Sequence, residues 1–207
     1  SAGRGIAAMK IITLNIWGGR LGDRLLDFFK AQTDTDAFLL QEVLSQATER
    51  ILWNARSRAN IFTEIAEVLP EHRGFFAPSI CGEMGQAAFV KKSIVLHEVG
   101  DVFIHGHMDS LIEHNPLSIG RNLQYLKTTS PDGEPLTIIN LHGLWTGQDK
   151  DDNEERLEQS RKIVKFVRSL SGKIVLCGDF NLNPDTESLK MLVRDLELKD
   201  LIKEHGV

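Results

Sequence analysis

Cysteine is scarce in this sequence: Cys81 and Cys177 are the only two, and they lie far apart. That excludes a disulfide framework and any CxxC metal motif, and Cys177, inside the apolar run before Gly178, reads as a buried thiol. No apolar run approaches the ~20 residues that span a bilayer, and the start carries no charged-then-apolar leader. A cytoplasmic, reducing compartment is expected. Basic excess is missing too, since 24 Lys and Arg against 29 Asp and Glu leave a net charge of −5. A broad surface for nonspecific nucleic-acid binding is therefore not expected, while an acidic balance suits a site that recruits divalent cations.

What is present is ordinary globular material, 42% hydrophobic and 26% charged over 207 residues, enough for one domain with a sizeable core. Ser1 to Ala8 is small and unpatterned and reads as a cloning remnant. Residues 9–207 then form a single domain, with no repeat, linker or low-complexity tract to divide it.

The informative pattern is a strand ending that occurs four times. Met9 to Asn15 ends in Asn15, with Trp17, Gly18 and Gly19 after it, and Asp36 to Glu42 ends in Gln41 and Glu42. Leu136 to His142 ends in His142 and Gly143, and the run Ile174 to Cys177 leads through Gly178 to Asp179 and Asn181. Each is an apolar strand whose last residue can bind a metal or move a proton, and loops at strand ends are where chemistry sits. Asp and Asn also form ordinary turns, so each ending alone fits an Asx-stabilised turn or a strand cap as well. The run before Asp179 suits a buried strand in a sheet covered on both faces.

Leu21, Leu25, Phe28 and Phe29 predict a helix beginning near Gly22, and Ile61, Ile65, Val68 and Leu69 predict another, closed by Pro70. Leu44 to Asn60, with Arg56 and Arg58, is either helical or a partly basic insertion. From His72 to Ser130 the period is two, predicting strands at 72–77, 84–91, 94–104 and 119–129, with Lys91-Lys92-Ser93 as a hairpin turn. Pro131-Asp132-Gly133 turns the chain into the strand that ends at His142. Asp152 to Leu170 is the clearest helix, acidic at its start and basic later, and its charges read as a solvated face. A shorter helix is predicted over 186–194. Strand-helix units on either side of consecutive hairpins predict an α/β sandwich with mixed sheets.

The segments TLNIWGG (13–19), LLQEV (39–43), INLHGLW (139–145) and GDFNLNP (178–184) resemble the endonuclease/exonuclease/phosphatase superfamily, in the family's order and across most of residues 9–195. The resemblance implies a four-layer α/β/β/α sandwich, two mixed sheets face to face with helices outside. It implies a phosphoester hydrolase, favouring phosphodiesters, in which water attacks phosphorus with the help of Mg2+ or Mn2+. Glu42 and Asn15 are the implied metal residues, Asp179 the group that orients or deprotonates water, and Asn181 and His142 the donors that stabilise the phosphoryl group. Arg121, on the strand RNLQYL, matches a substrate-facing basic position. Trp145, like Trp17, follows a strand end on a loop, where it fits either stacking on a base, sugar or lipid head group or simple packing. The implied partner is a phosphate ester, nucleic acid among the candidates; no membrane span or protein partner is inferred.

One departure stands out. The family's final Asp-His pair is absent from these 207 residues, which end Glu204-His205-Gly206-Val207, so the C-terminal strand region of the family is not represented. The alternative reading is accordingly a noncatalytic metal-binding or phosphate-binding module of the same fold. A third reading comes from His105-Gly106-His107-Met108-Asp109, whose spacing opens the zinc site of metallo-β-lactamase-like hydrolases; a solvated loop is the preferred account.

Overall fold

The computed structural model describes residues 8–206 apart from 50, 53, 113 and 114. Of the N-terminal segment read as a remnant, residues 1–7 lie outside the described residues, as does His114. In chain order the elements are β1 (Ile11–Asn15), α1 (Asp23–Ala31), β2 (Ala37–Leu44), α2 (Ile61–Val68), β3 (His72–Ile80), β4 (Met84–Lys91), β5 (Leu96–His105), β6 (Arg121–Thr129), β7 (Pro135–His142), α3 (Glu154–Val167), β8 (Lys173–Asp179), α4 (Glu187–Asp195) and α5 (Leu201–His205). Two short 3-10 turns, Trp17–Gly19 and Pro116–Ser118, follow β1 and precede β6.

Period-2 alternation sorts these strands into layers. In β2, Ala37 and Leu39 face one way and Phe38 and Leu40 the other. Ala37 and Leu39 pack with Ala88, Val90, Leu126, Leu136 and Ile138, a cluster shared by two sheets. Phe38 and Leu40 pack with Leu25 and Phe29 of α1 and Ile61 and Ile65 of α2. On the far side Leu123, Ile139 and Leu141 meet Ile163, Val164 and Val167 of α3 and Leu192 of α4. The packing order is therefore helix, sheet, sheet, helix. Each sheet has four strands, in the orders β1-β2-β4-β3 and β5-β6-β7-β8. The pairs β1/β2 and β7/β8 are parallel and the other pairs antiparallel, so both sheets are mixed, as expected.

Two expectations are corrected. Lys91-Lys92-Ser93 is not a hairpin turn, because β4 and β5 belong to different sheets; the hairpin joins β3 to β4 through Cys81 and Gly82, both at positive φ (49° and 76°). Alternation marks a strand's faces and says nothing about its neighbour. Likewise β8 is covered on both faces as expected but is not fully buried: among the described residues it pairs only with β7, and its apolar residues are half-buried. Cys177 is half-buried with it, though burial still pushes its thiol up to about 12. Of the two readings of Leu44 to Asn60, the helical one falls: its described residues form turns and bends.

In α3 the charges of Glu154, Glu155, Lys162, Lys165 and Arg168 are exposed as read, and one residue supplies a third correction. Asn153 caps the helix by accepting from the Arg156 N–H at 2.8 Å, and Glu154 and Glu155 occupy the favourable first turn. Yet the Arg156 side chain is 0% exposed, not on a solvated face.

Between the sheets the apolar cluster gives way to buried amides. Gln41 Nε2 donates to Asn140 Oδ1 (2.6 Å) and Thr13 Oγ1 (3.1 Å), while Asn140 Nδ2 reaches across to the Leu40 carbonyl (3.1 Å) and Gln124 Oε1 (3.4 Å). Gln86 donates to the Asn122 carbonyl (2.5 Å), and Asn122 to Asp101 and the Pro78 carbonyl. These bonds fix the position of one sheet on the other, because amides need directed partners where apolar side chains do not. Replacing Asn140 with alanine is expected to cost about 2–3 kcal/mol, since it leaves the Gln41 amide and the Leu40 carbonyl short of a partner. Urea unfolding would show it; an unchanged midpoint would mean that the network relaxes.

Candidate active site

Parallel pairing brings the strand ends level. Asn15 lies opposite Gln41 in the β1/β2 register, and His142 opposite Asp179 in that of β7/β8. The two ends meet across the sandwich: the Asn15 Nδ2 group donates to both Glu42 Oε1 and Asp179 Oδ2, each at 3.0 Å.

Local backbone geometry aims these groups. The pairing of β2 with β4 slips between Leu40 and Val43, and in that bulge Glu42 takes φ +55°. Bulges re-aim side chains, and here consecutive residues part company, Gln41 bonding inward and Glu42 lining a cleft. Asn181 also has positive φ (52°); its N–H donates to Asp179 Oδ1 at 3.0 Å and its Nδ2 to the Gly143 carbonyl at 3.2 Å. The Asx turn expected after β8 thus exists, and it uses one Asp179 oxygen while the other faces Asn15. Left-handed backbone at non-glycine residues costs about 1–3 kcal/mol, and its concentration at a site is a mark of function. Gly178 is required where it stands: at φ 140°, a Cβ would lie 1.9 Å from the Leu141 carbonyl oxygen.

The cleft has a volume of about 370 Å3. Its lining divides into a polar set, Glu42, Arg121, His142, Lys150 and Asn181, and an apolar set, Ile80, Met84, Ile119 and Trp145. Arg121 is buried, and its Nη1 donates to His142 Nδ1 at 3.3 Å. With Nδ1 accepting, the proton of a neutral imidazole sits on Nε2, which faces Glu42 Oε1 at 3.8 Å. Neutrality is favoured, because burial, then the Arg121 cation, then the Lys150 cation push His142 well below its ordinary pKa. Burial also pulls Arg121 down to about 10, against the opposing pull of Glu42 and Asp179; it remains a cation at neutral pH.

Sequence reasoning missed Lys150 and Arg156. Arg156 reaches back from α3 to the loop after β7, donating to the carbonyls of Leu144 (3.5 Å), Asp149 (2.5 Å) and Asp151, and to Thr146 Oγ1 (3.4 Å). Gln159 Oε1 accepts from the Leu144 N–H at 3.0 Å. The loop that carries Trp145 and Lys150 is thereby held by two buried side chains. An Arg in the first turn of a helix that follows a long polar loop was the available signal. Trp17, by contrast, is outside the cleft lining; it is 57% exposed, with the Arg20 guanidinium 4.6 Å from its ring centre.

As to a metal, the Asn15 oxygen accepts from the Trp17 N–H (2.9 Å) and keeps a second lone pair, while its nitrogen holds Glu42 and Asp179. Among the described residues, no three or more His, Cys, Asp or Glu side chains are grouped to hold an ion. The pair that remains, Glu42 and Asp179 on one amide, fits a hard cation such as Mg2+, which commonly binds through one or two carboxylates and keeps several waters. The zinc reading finds no support: His105 Nε2 lies 2.6 Å from the Leu117 carbonyl, and His107 Nδ1 accepts from the Asp109 N–H (3.3 Å). Among the described residues, no helix is long and apolar enough to cross a membrane.

The molecule is an α/β sandwich with acid, amide and imidazole groups gathered at its strand ends. It belongs to the endonuclease/exonuclease/phosphatase family, whose model matches residues 12–199. No curated protein sequence matches the chain. Among solved structures it is similar to a mannosyl-6-phosphatase of Bacteroides thetaiotaomicron, with a TM-score of 0.66, 18% identity and coverage of 90% of this chain and 70% of that one. A humanized D. rerio TDP2 gives 0.61, 16%, 89% and 66%. ANGEL2, a 2',3'-cyclic phosphatase, gives 0.59, 18%, 84% and 46%. At these identities the likeness is one of fold, and the chain spans between about half and two thirds of the last two structures.

Proposed function

We propose that the protein is a divalent-metal-dependent phosphoesterase that favours phosphodiesters. The observation that carries this reading is Arg121, a buried cation lining the cleft with no carboxylate in ion-pair contact among the described residues and no partner for its Nε. A buried guanidinium in that state calls for an anion, and the neighbouring Lys150 adds a second positive charge. Glu42, with Asp179 beside it, would hold Mg2+ or Mn2+, which would neutralise phosphoryl oxygens and assist the leaving group. Asp179 orients the attacking water and takes its proton. Its orientation comes from Asn15 and Asn181, which donate to its two oxygens. His142 presents Nε2–H and Asn181 its amide to the phosphoryl oxygens, as preformed donors for charge that grows in the transition state. Two free cysteines accord with a cytoplasmic setting.

Hydrolysis of bis(p-nitrophenyl) phosphate with and without added Mg2+ or Mn2+ tests the reading. Turnover that needs the cation and is lost in Glu42→Ala is expected. Metal affinity without turnover on any phosphoester would favour the noncatalytic binding module instead.

A further inference from the structure

The cleft is more selective than its phosphate chemistry requires. We infer that its substrate is a compact phosphate ester carrying an aromatic or branched apolar group beside a single phosphate, rather than a nucleic-acid duplex; this rests on the phosphoesterase reading. Ile80, Met84, Ile119 and Trp145 line the same cleft as Arg121 and Lys150, so an apolar surface lies within one molecule's reach of the anion site. Trp145 keeps 37% of its surface exposed although its loop is tied down by Arg156. A large ring held open on a fixed loop is a binding surface prepared before its ligand arrives. The volume, about 370 Å3, falls at the lower end of small-molecule sites, which run from about 300 to 1,000 Å3.

Charge points the same way. A duplex is held by a track of Lys and Arg on successive phosphates. Here the cleft offers two cations, and two of the basic residues beyond β1 are engaged elsewhere: Arg58 pairs with Asp23 (2.8 Å) and Glu64, and Arg20 covers the Trp17 ring. The net charge of −5 would further oppose a long polyanion.

Calorimetric titration of the Mg2+-loaded protein with phenylphosphonate, methylphosphonate and a short DNA duplex tests this without any turnover. Phenylphosphonate should bind about 10-fold or more tighter than methylphosphonate, the gain of burying one ring. Trp145→Ala should bring that ratio down towards one; if the variant does not fold, the wild-type ratio decides alone. Equal affinities, or a duplex that binds more tightly than phenylphosphonate, would overturn the inference even where bis(p-nitrophenyl) phosphate is hydrolysed. No binding of either phosphonate and no hydrolysis would bring down the phosphoesterase reading as well.

Discussion

Asp179→Asn is expected to lower kcat on bis(p-nitrophenyl) phosphate by about 10²–10⁴-fold, the usual worth of a positioned general base. The change keeps the size of the side chain and removes its charge and basicity. It also puts an NH2 in place of one of two accepting oxygens, so that either Asn15 Nδ2 or the Asn181 N–H, which donate to different Asp179 oxygens, loses its acceptor. Stability should not fall in proportion. Asp179 and Glu42 are like charges held on one amide, and removing one relieves repulsion that the fold otherwise carries. Steady-state kinetics with thermal unfolding on the same sample would check both halves. A kcat close to wild type would sink the assignment of Asp179.

The second large effect is structural. Arg156→Ala should cost about 3 kcal/mol, because it leaves the buried carbonyl of Leu144 and the part-buried carbonyls of Asp149 and Asp151 without their shared donor. The Asp149 carboxylate, 3.4 Å away and largely exposed, contributes little to that sum. Arg156→Lys should not rescue, since one ammonium cannot reproduce a planar fork that meets several acceptors at once. The readouts are urea unfolding and limited proteolysis within residues 144–151. Loss of stability with an uncut loop would separate the helix's role from the loop's.

The candidate site was legible because it is written at strand ends. Asn15, Glu42, His142 and Asp179 each close an apolar run, and parallel pairing then brings them together, so a local pattern carried long-range information. Arg121 was legible in kind but not in degree: RNLQYL marks a strand, while the burial of its first residue against His142 depends on a residue 21 positions later. Lys150 gave no signal, since a lysine in an acidic loop reads as solvated. Its place in the cleft comes from Arg156 folding that loop back.

Taken by itself, the sequence determined the strands and the side chains that close them at the candidate site, because side-chain alternation and the residue that ends a strand are properties of a few consecutive positions. Only the tertiary structure decided that the chain passes to the other sheet after β4, that β8 lies at an edge among the described residues, that a bulge turns Glu42 outward while Gln41 points in, and that one arginine of α3 is buried. Each of those depends on which backbone groups pair with which across long separations in the chain, and hydrogen-bond partners, unlike hydrophobic period, leave no local trace.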